Sequence, residues 1–396
     1  MKSQIKTILV TVGIISVTMV GVPLLYNFDW RHEGRNIKNG TDTIRVKHGC
    51  DIVTTLDLKW QKMADSVLRV AMAANTDIES GCVIMMDVKS GALPIIVNLG
   101  RDDESGDIIE NAEDGINRRF QPGSLAKVLP LAAALEDGHI HSLDETVPTH
   151  NGKLKGFIKD VFIEKYERKS GSKSISILDG FTISSNYVVA YIANKYYVDY
   201  PGRFDDHIQK YCDIFDFQIP EKYRSRRDVL IRSMGYNFRM TPLSVLTLYN
   251  TIANKGKKMM PYWNEYQDGK PLFASGYGPD SHGQVMPVAV ADTLMRALRT
   301  VNKNETGKSH NDAYPRVAGK PSTSRLTFDK KDKGSDPFHD EEGHTKTAAA
   351  YVGIVPADAP AYSIICVIFS KPTFRTIYGS SVPAHVVRDI ISGIYE

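Results

Sequence analysis

The chain of 396 residues is long enough for one large domain or two ordinary ones. Its hydrophobic share of 42% and charged share of 24% are those of a folded globular protein. A formal net charge of +3 gives no case for nucleic-acid binding. There is no zinc-like Cys/His spacing and no glycine-rich phosphate loop, so no cofactor is expected.

Ile8 to Tyr26 carries no charge and is rich in Val, Ile and Leu, which is long enough to cross a bilayer as a helix. Lys2 and Lys6 precede it, which predicts a cytoplasmic tail over 1–7 and an anchor over 8–26. Arg31, Arg35 and Lys38 follow the span and blunt the charge asymmetry. A cleaved signal peptide is the rival reading, but the apolar stretch is long for one and no A-x-A-like site follows it. Residues 27–50 are polar and read as a linker, with 51–396 outside the cytoplasm. The cysteines Cys50, Cys82, Cys212 and Cys366 show no disulfide framework. Cys82 and Cys366 lie in apolar, strand-like runs, where a buried free thiol is expected.

Thr55 or Asp57 can cap a helix with apolar positions at Leu58, Met63, Val67, Leu68 and Met72. Cys82–Met86 and Leu93–Val97, separated by Asp87–Gly91, read as a hairpin, with Pro94 predicting an edge or a bend. The middle is helical in pattern: Leu125–Leu135, Ile177–Tyr196 broken at Ser184-Ser185-Asn186, and Pro242–Asn254 with Gly256 just past its end. Strand-like runs return at Arg316–Thr323, Ala348–Val355 and Tyr362–Phe369, before an amphipathic helix over Ala384–Tyr395. Strands at both ends with helices between predict an α+β domain whose C-terminal strands join the N-terminal hairpin in one antiparallel sheet. The charged stretch 329–346 holds His339, Asp340 and His344, and reads as a solvated loop rather than a metal site.

Ser124 and Lys127 are one helical turn apart, so a nucleophile and a base share a face at a helix start, where backbone N–H groups favour developing negative charge. Alone, S-x-x-K is a weak signal. Three further segments strengthen it: Ser184-Ser185-Asn186 between helices, Arg239-Met240-Thr241-Pro242 followed by Asn254-Lys255-Gly256, and Val317-Ala318-Gly319-Lys320 in a late strand.

In this order the segments resemble the penicillin-binding transpeptidase family of serine penicillin-recognising enzymes. Asn117-Arg118 and Pro122-Gly123 match the lead-in to the family's nucleophile; Thr54–Asp57 with Gln61, and Tyr351-Val352-Gly353 with Pro356-Ala357-Asp358, match segments without chemistry. A single anchor without a glycosyltransferase-sized region resembles the class B branch, with the pedestal domain missing or reduced to residues 27–50. The resemblance implies a membrane-anchored D,D-transpeptidase, facing away from the cytoplasm, that cross-links peptidoglycan stem peptides of glycan strands derived from lipid II. It implies β-lactams as ligands, the inner membrane as its location and a glycosyltransferase as a compatible partner. It assigns catalysis to Ser124, Lys127, Ser184, Asn186 and Lys320, and substrate contacts to Ser322 and Thr323. Ser124 would attack a D-alanyl-D-alanine carbonyl; Lys127 would take its proton, helped by burial and by the Lys320 cation. Ser184 would relay a proton to the leaving amine, Asn186 would bond Lys127 and the substrate amide, and the N–H groups of Ser124 and Thr323 would form an oxyanion hole.

The third motif of the family is Lys-Thr-Gly or Lys-Ser-Gly, and here it is Lys320-Pro321-Ser322. Proline has no N–H. On a strand the N–H of Pro321 would share a side with that of Thr323, so the missing donor falls on an open edge, where proline is tolerated. Ser322 either crowds the cleft or supplies a replacement hydroxyl. A shifted motif at Lys346-Thr347-Ala348 is weaker, because Tyr351-Val352-Gly353 follows directly. The altered motif leaves two other readings open: a catalytically impaired scaffold of cell-wall synthesis or division, and a β-lactam sensor or β-lactamase.

Overall fold

The computed structural model describes residues 52–396 apart from 111–113, 155, 157, 213–216, 218, 220–224, 268–269, 272–282, 306–315 and 328–337, together with 36–39 and 42–45. The expected anchor over 8–26 lies outside the described residues. Among the described residues no helix is long and apolar enough to cross a membrane.

Six strands form the central sheet: β1 (Ile78–Asp87), β2 (Ile95–Arg101), β3 (Ile108–Glu110), β4 (Ala318–Leu326), β5 (Lys346–Val355) and β6 (Tyr362–Ser370). Their order is β4-β5-β6-β1-β2-β3, every pairing is antiparallel, and β4 and β3 are the edges. The C-terminal strands thus join the N-terminal hairpin, as the sequence pattern predicts. Pro94 stands just before β2 rather than within it, so the interior ladder loses no donor.

β1, β5 and β6 are almost wholly buried because both faces of the sheet are covered. On one face lie α1 (Leu58–Ala74) and α6 (Val382–Tyr395), packing Leu68, Met72, Val387 and Ile390 against Val83, Ile364 and Ile368. Asp57 caps α1 by accepting from the Trp60 N–H. The other face carries α4 (Pro242–Ala253), every residue of which is buried. Its polar side chains are satisfied inside, Thr247 Oγ1 and Thr251 Oγ1 donating to the carbonyls of Leu243 and Thr247, both at 2.8 Å, and α4 separates the sheet from the helical lobe. Asn250 Nδ2 donates to Asp87 O and Ser363 Oγ, both at 3.1 Å, on the sheet side. Tyr249 OH donates to Leu125 O at 3.0 Å on the lobe side. Cys82 and Cys366 are buried free thiols on opposite faces of the sheet.

The lobe contains α2 (Val128–Glu136), α3 (Asn186–Tyr196) and α5 (Val288–Glu305), with further helices at Val161–Ser170, Pro201–Cys212 and Arg226–Ser233. The polar stretch read as a linker contains strands Asn36–Asn39 and Asp42–Arg45. They join Ile52–Thr54 and Asn264–Gln267 in a small second sheet. Alternation such as Thr43-Ile44-Arg45 is too short to stand out in a polar segment; these strands pair with each other and with Ile52–Thr54, and it is Ile52–Thr54 that reaches the distant Asn264–Gln267.

Within the lobe, His150, Asn151 and Gly152 all have left-handed backbone, at φ of 42°, 52° and 71°. Only glycine takes this conformation without cost, so the turn must be held from outside. Glu167 does this: it accepts from Asn151 N at 2.7 Å and from the Thr149 hydroxyl, and it pairs with Lys173 at 2.7 Å. The Lys173 ammonium, then the Thr149 and Asn151 donors, lower the Glu167 carboxyl from 4.5 to about 2. A carboxyl depressed on folding contributes stability above its unfolded value and loses it as pH falls towards the folded one. Denaturant midpoints should therefore fall between about pH 4.5 and 2. Glu167→Gln should flatten part of that fall; an unchanged profile would rule this anchor out.

Candidate active site

Ser124 lies in a 3-10 turn, Gly123–Lys127, that runs directly into α2, so the expected helix start is one tighter turn followed by α-helix. Pro122 and Gly123 precede it. Gly123 has φ +52°, and a Cβ there would stand 2.8 Å from Ser322 Oγ. Gly123 N donates to Gly235 O at 3.0 Å, and a Cβ on Gly235 would stand 2.0 Å from Gly123 O. Two glycines thus let three chain segments meet at the turn that presents Ser124.

Lys127 is buried at 1% exposure and Lys320 at 0%. Ser184 lies between the helix Ile177–Thr182 and α3, in left-handed backbone at φ 58°. Its hydroxyl is the meeting point. Ser184 Oγ donates to Ser124 Oγ at 3.1 Å. It accepts from Lys320 Nζ at 2.9 Å and from Lys127 Nζ at 3.3 Å. Lys127 Nζ also donates to the Ser184 carbonyl. Residues 124, 127, 184 and 320 are therefore brought into one cluster. Asn186 begins α3 and is exposed.

β4 sorts the altered motif by alternation. Lys320 and Ser322 share the face towards Ser124. Ser322 is 4% exposed, and its hydroxyl donates to Pro122 O at 2.8 Å. That hydroxyl ties β4 to the lead-in of Ser124; neither of the two sequence alternatives, crowding or replacement, describes it. Thr323 turns to the other face, where its Oγ1 accepts from Gly379 N at 3.0 Å. Pro321 lies on the edge strand opposite Tyr351. Lys346 pairs in register with Leu326, away from Lys320, and its Nζ stands 3.5 Å from Glu79. This sets aside the shifted motif. In the charged loop, His344 Nδ1 meets Asp340 Oδ2 at 2.9 Å, and among the described residues no metal-ligating cluster forms.

Two residues have a part that the sequence did not assign: Ser185 was visible only as a member of the polar break, and Asp160 gave no signal. Ser185 is buried behind Ser184, and Asp160 bonds it from the start of a helix with an ordinary capping pattern. Their connection is visible only in three dimensions.

This architecture, a covered antiparallel sheet with a serine–lysine cluster where its edge strand meets a helical lobe, is that of the serine penicillin-recognising fold. The model of the penicillin-binding protein transpeptidase domain matches residues 81–392, and the chain belongs to that family. A curated relative, a peptidoglycan D,D-transpeptidase FtsI homolog of Mesostigma viride, is 24% identical over 86% of this chain, which spans 60% of that protein's length. Among solved structures, the apo transpeptidase domain of Burkholderia pseudomallei penicillin-binding protein 3 superposes with a TM-score of 0.65 at 20% identity, covering 86% of this chain and 95% of that one. A peptidoglycan synthetase of Bifidobacterium adolescentis gives 0.65 at 18%, covering 88% and 62%.

Gly235→Ala should cost more stability than Gly283→Ala. Both glycines have positive φ, but a Cβ at Gly283 meets nothing within 4 Å. Gly283→Ala should lose about 1–2 kcal/mol from backbone conformation alone, whereas Gly235→Ala must also displace Gly123. Thermal unfolding of the two variants checks this; equal losses would contradict the close approach.

Proposed function

We propose that the chain is a membrane-anchored D,D-transpeptidase that cross-links peptidoglycan stem peptides through an ester on Ser124, and that β-lactams acylate the same serine. The observation that carries this reading is the Ser184 hydroxyl, bonded at once to Ser124 Oγ and to the amines of Lys127 and Lys320. Family membership supports the reaction class.

In this reading Ser124 Oγ attacks the carbonyl of the D-Ala-D-Ala peptide bond, and its proton passes to Lys127, whose burial favours the neutral amine needed to accept it. The carbon–nitrogen bond breaks, and the terminal D-Ala leaves as an amine with a proton delivered through Ser184. The amine of a second stem peptide then attacks the ester, restoring the Ser124 hydroxyl and completing the cross-link. Lys320 supplies positive charge, Asn186 contacts the substrate amide from its exposed position, and the N–H groups of Ser124 and Thr323 receive the oxyanion. The Ser322 hydroxyl is bonded to Pro122 O, so in this reading Lys320 and the edge of β4 receive the terminal carboxylate of the substrate. Ile8–Tyr26 serves as the anchor and holds the domain outside the cytoplasmic membrane. A scaffold role draws only on the altered motif, and Lys320 nonetheless reaches Ser184.

Incubation with a fluorescent penicillin should label the wild-type chain covalently and leave Ser124→Ala blank. An unlabelled wild type would overturn the reading. Lys127→Ala should slow labelling by about 10²–10⁴-fold, the usual contribution of a positioned base, measured as the rate at which the fluorescent band appears.

A further inference from the structure

Ser184 is a serine in left-handed backbone, a conformation that persists only where surrounding contacts over-determine it. On its N-terminal side the contacts are ordinary. Ser184 N donates to Phe181 O at 3.0 Å and Ser185 N to Gly180 O at 2.8 Å, the closing bonds of a helix. On its C-terminal side they converge on one buried carboxylate from a distant segment. Asp160 is 4% exposed. Its Oδ2 accepts from Ser185 Oγ at 2.7 Å and from Tyr187 N at 2.9 Å.

The cap of the helix Val161–Ser170 needs only Oδ1, which accepts from Phe162 N at 2.9 Å. The second oxygen holds the Ser184 turn. Ser185 Oγ in turn accepts from Val188 N at 3.1 Å, so donor and acceptor are both engaged and the hydroxyl has one orientation. Asp160 is itself fixed. Its N–H donates to Gly152 O at 2.9 Å, and a Cβ on Gly152 would stand 2.4 Å from Asp160 O.

We propose that Asp160 is a positioning residue for the acylation of Ser124: its carboxylate locks the turn that keeps the Ser184 hydroxyl between Ser124 and the two lysines. The inference rests on the acyl-enzyme reading given above. Asparagine cannot replace Asp160, because its amide presents an N–H₂ to at least one of the backbone or hydroxyl donors that the carboxylate accepts. Alanine at Ser185 leaves the Asp160 cap of the helix Val161–Ser170 intact; it removes the tie to Asp160 together with the Ser185 cap of α3, and thermal unfolding reads the cost of the lost cap separately.

The test uses the full-length chain and a fluorescent penicillin, with saturation kinetics separating non-covalent binding from the acylation step and thermal unfolding followed in parallel. Asp160→Asn and Ser185→Ala should lower the acylation rate constant by about 10- to 100-fold, the scale expected of a misplacement of about 1 Å, with the binding constant little changed. A structural role alone would reduce the folded fraction and leave acylation of that fraction at the wild-type rate. Wild-type acylation constants in both variants would overturn the proposal. If Asp160→Asn does not fold, Ser185→Ala decides by the same criterion. Failure of the wild type itself to label would sink the acyl-enzyme reading instead, so the two failures are distinguishable.

Discussion

Two lysine amines are buried against one serine hydroxyl, and the rest of the structure serves that placement. Burying an amine disfavours its charge, and bringing a second beside it adds repulsion if both are charged. Such a pair is tolerated only where acceptors are fixed in advance. Ser184 supplies them, its hydroxyl to Lys127 and Lys320 and its carbonyl to Lys127. None of these groups is near another in sequence. Lys127 comes from the start of a lobe helix, Ser184 from a break between helices, and Lys320 from the edge of the sheet.

The cluster therefore exists only if the sheet and the lobe are docked in one register. α4 provides that register. It is buried on all sides, with Asn250 bonded to the sheet and Tyr249 bonded to the carbonyl of Leu125, next to Ser124. Burial pushes the Tyr249 phenol well above its ordinary value, so it stays a neutral hydrogen-bond donor. The direct seam between β4 and the Ser124 turn is tighter still. Gly123 admits Ser322, Gly235 admits Gly123, and the Ser322 hydroxyl bonds the Pro122 carbonyl. A serine where the family carries a small residue thus becomes a tie between strand and the Ser124 turn, and the proline beside it stands on an edge strand, where proline is accommodated.

The sheet was legible because apolar runs such as Cys82–Met86 and Tyr362–Phe369 are short, rich in Val and Ile and bounded by turn residues such as Asp87–Gly91, which favours a buried strand over a buried helix. The break at Ser184 was legible from three polar residues inside a helical pattern. The clustering of residues 124, 127, 184 and 320 followed from ordered motifs, not from any local pattern. What stayed hidden is what depends on distant partners. Ser322 gave no clue that its hydroxyl would reach Pro122, because that contact joins residues two hundred positions apart. The helix Val288–Glu305 is an exception, since Pro287 at its start and apolar positions at Val290, Leu294 and Leu298 are readable in the sequence. The strands Asn36–Asn39 and Asp42–Arg45 are short and polar, and pairing rather than propensity makes them strands.

The division of labour between chemistry and support follows from the same geometry. Groups that would handle protons are few, and each is reached by a side chain able to end in a buried polar cluster. Groups that hold them are backbone-directed. Asp160 fixes Tyr187 N, Glu167 fixes Asn151 N, and Gly379 N engages Thr323. Both acids act on left-handed turns, at Ser184 and at His150-Asn151, which would otherwise relax to ordinary backbone. A hydroxyl that must accept from two amines and donate to a third group cannot rotate to suit its neighbours. Its backbone has to be set for it, and a buried carboxylate with two acceptor oxygens is the simplest device that sets a serine turn and caps a helix at once.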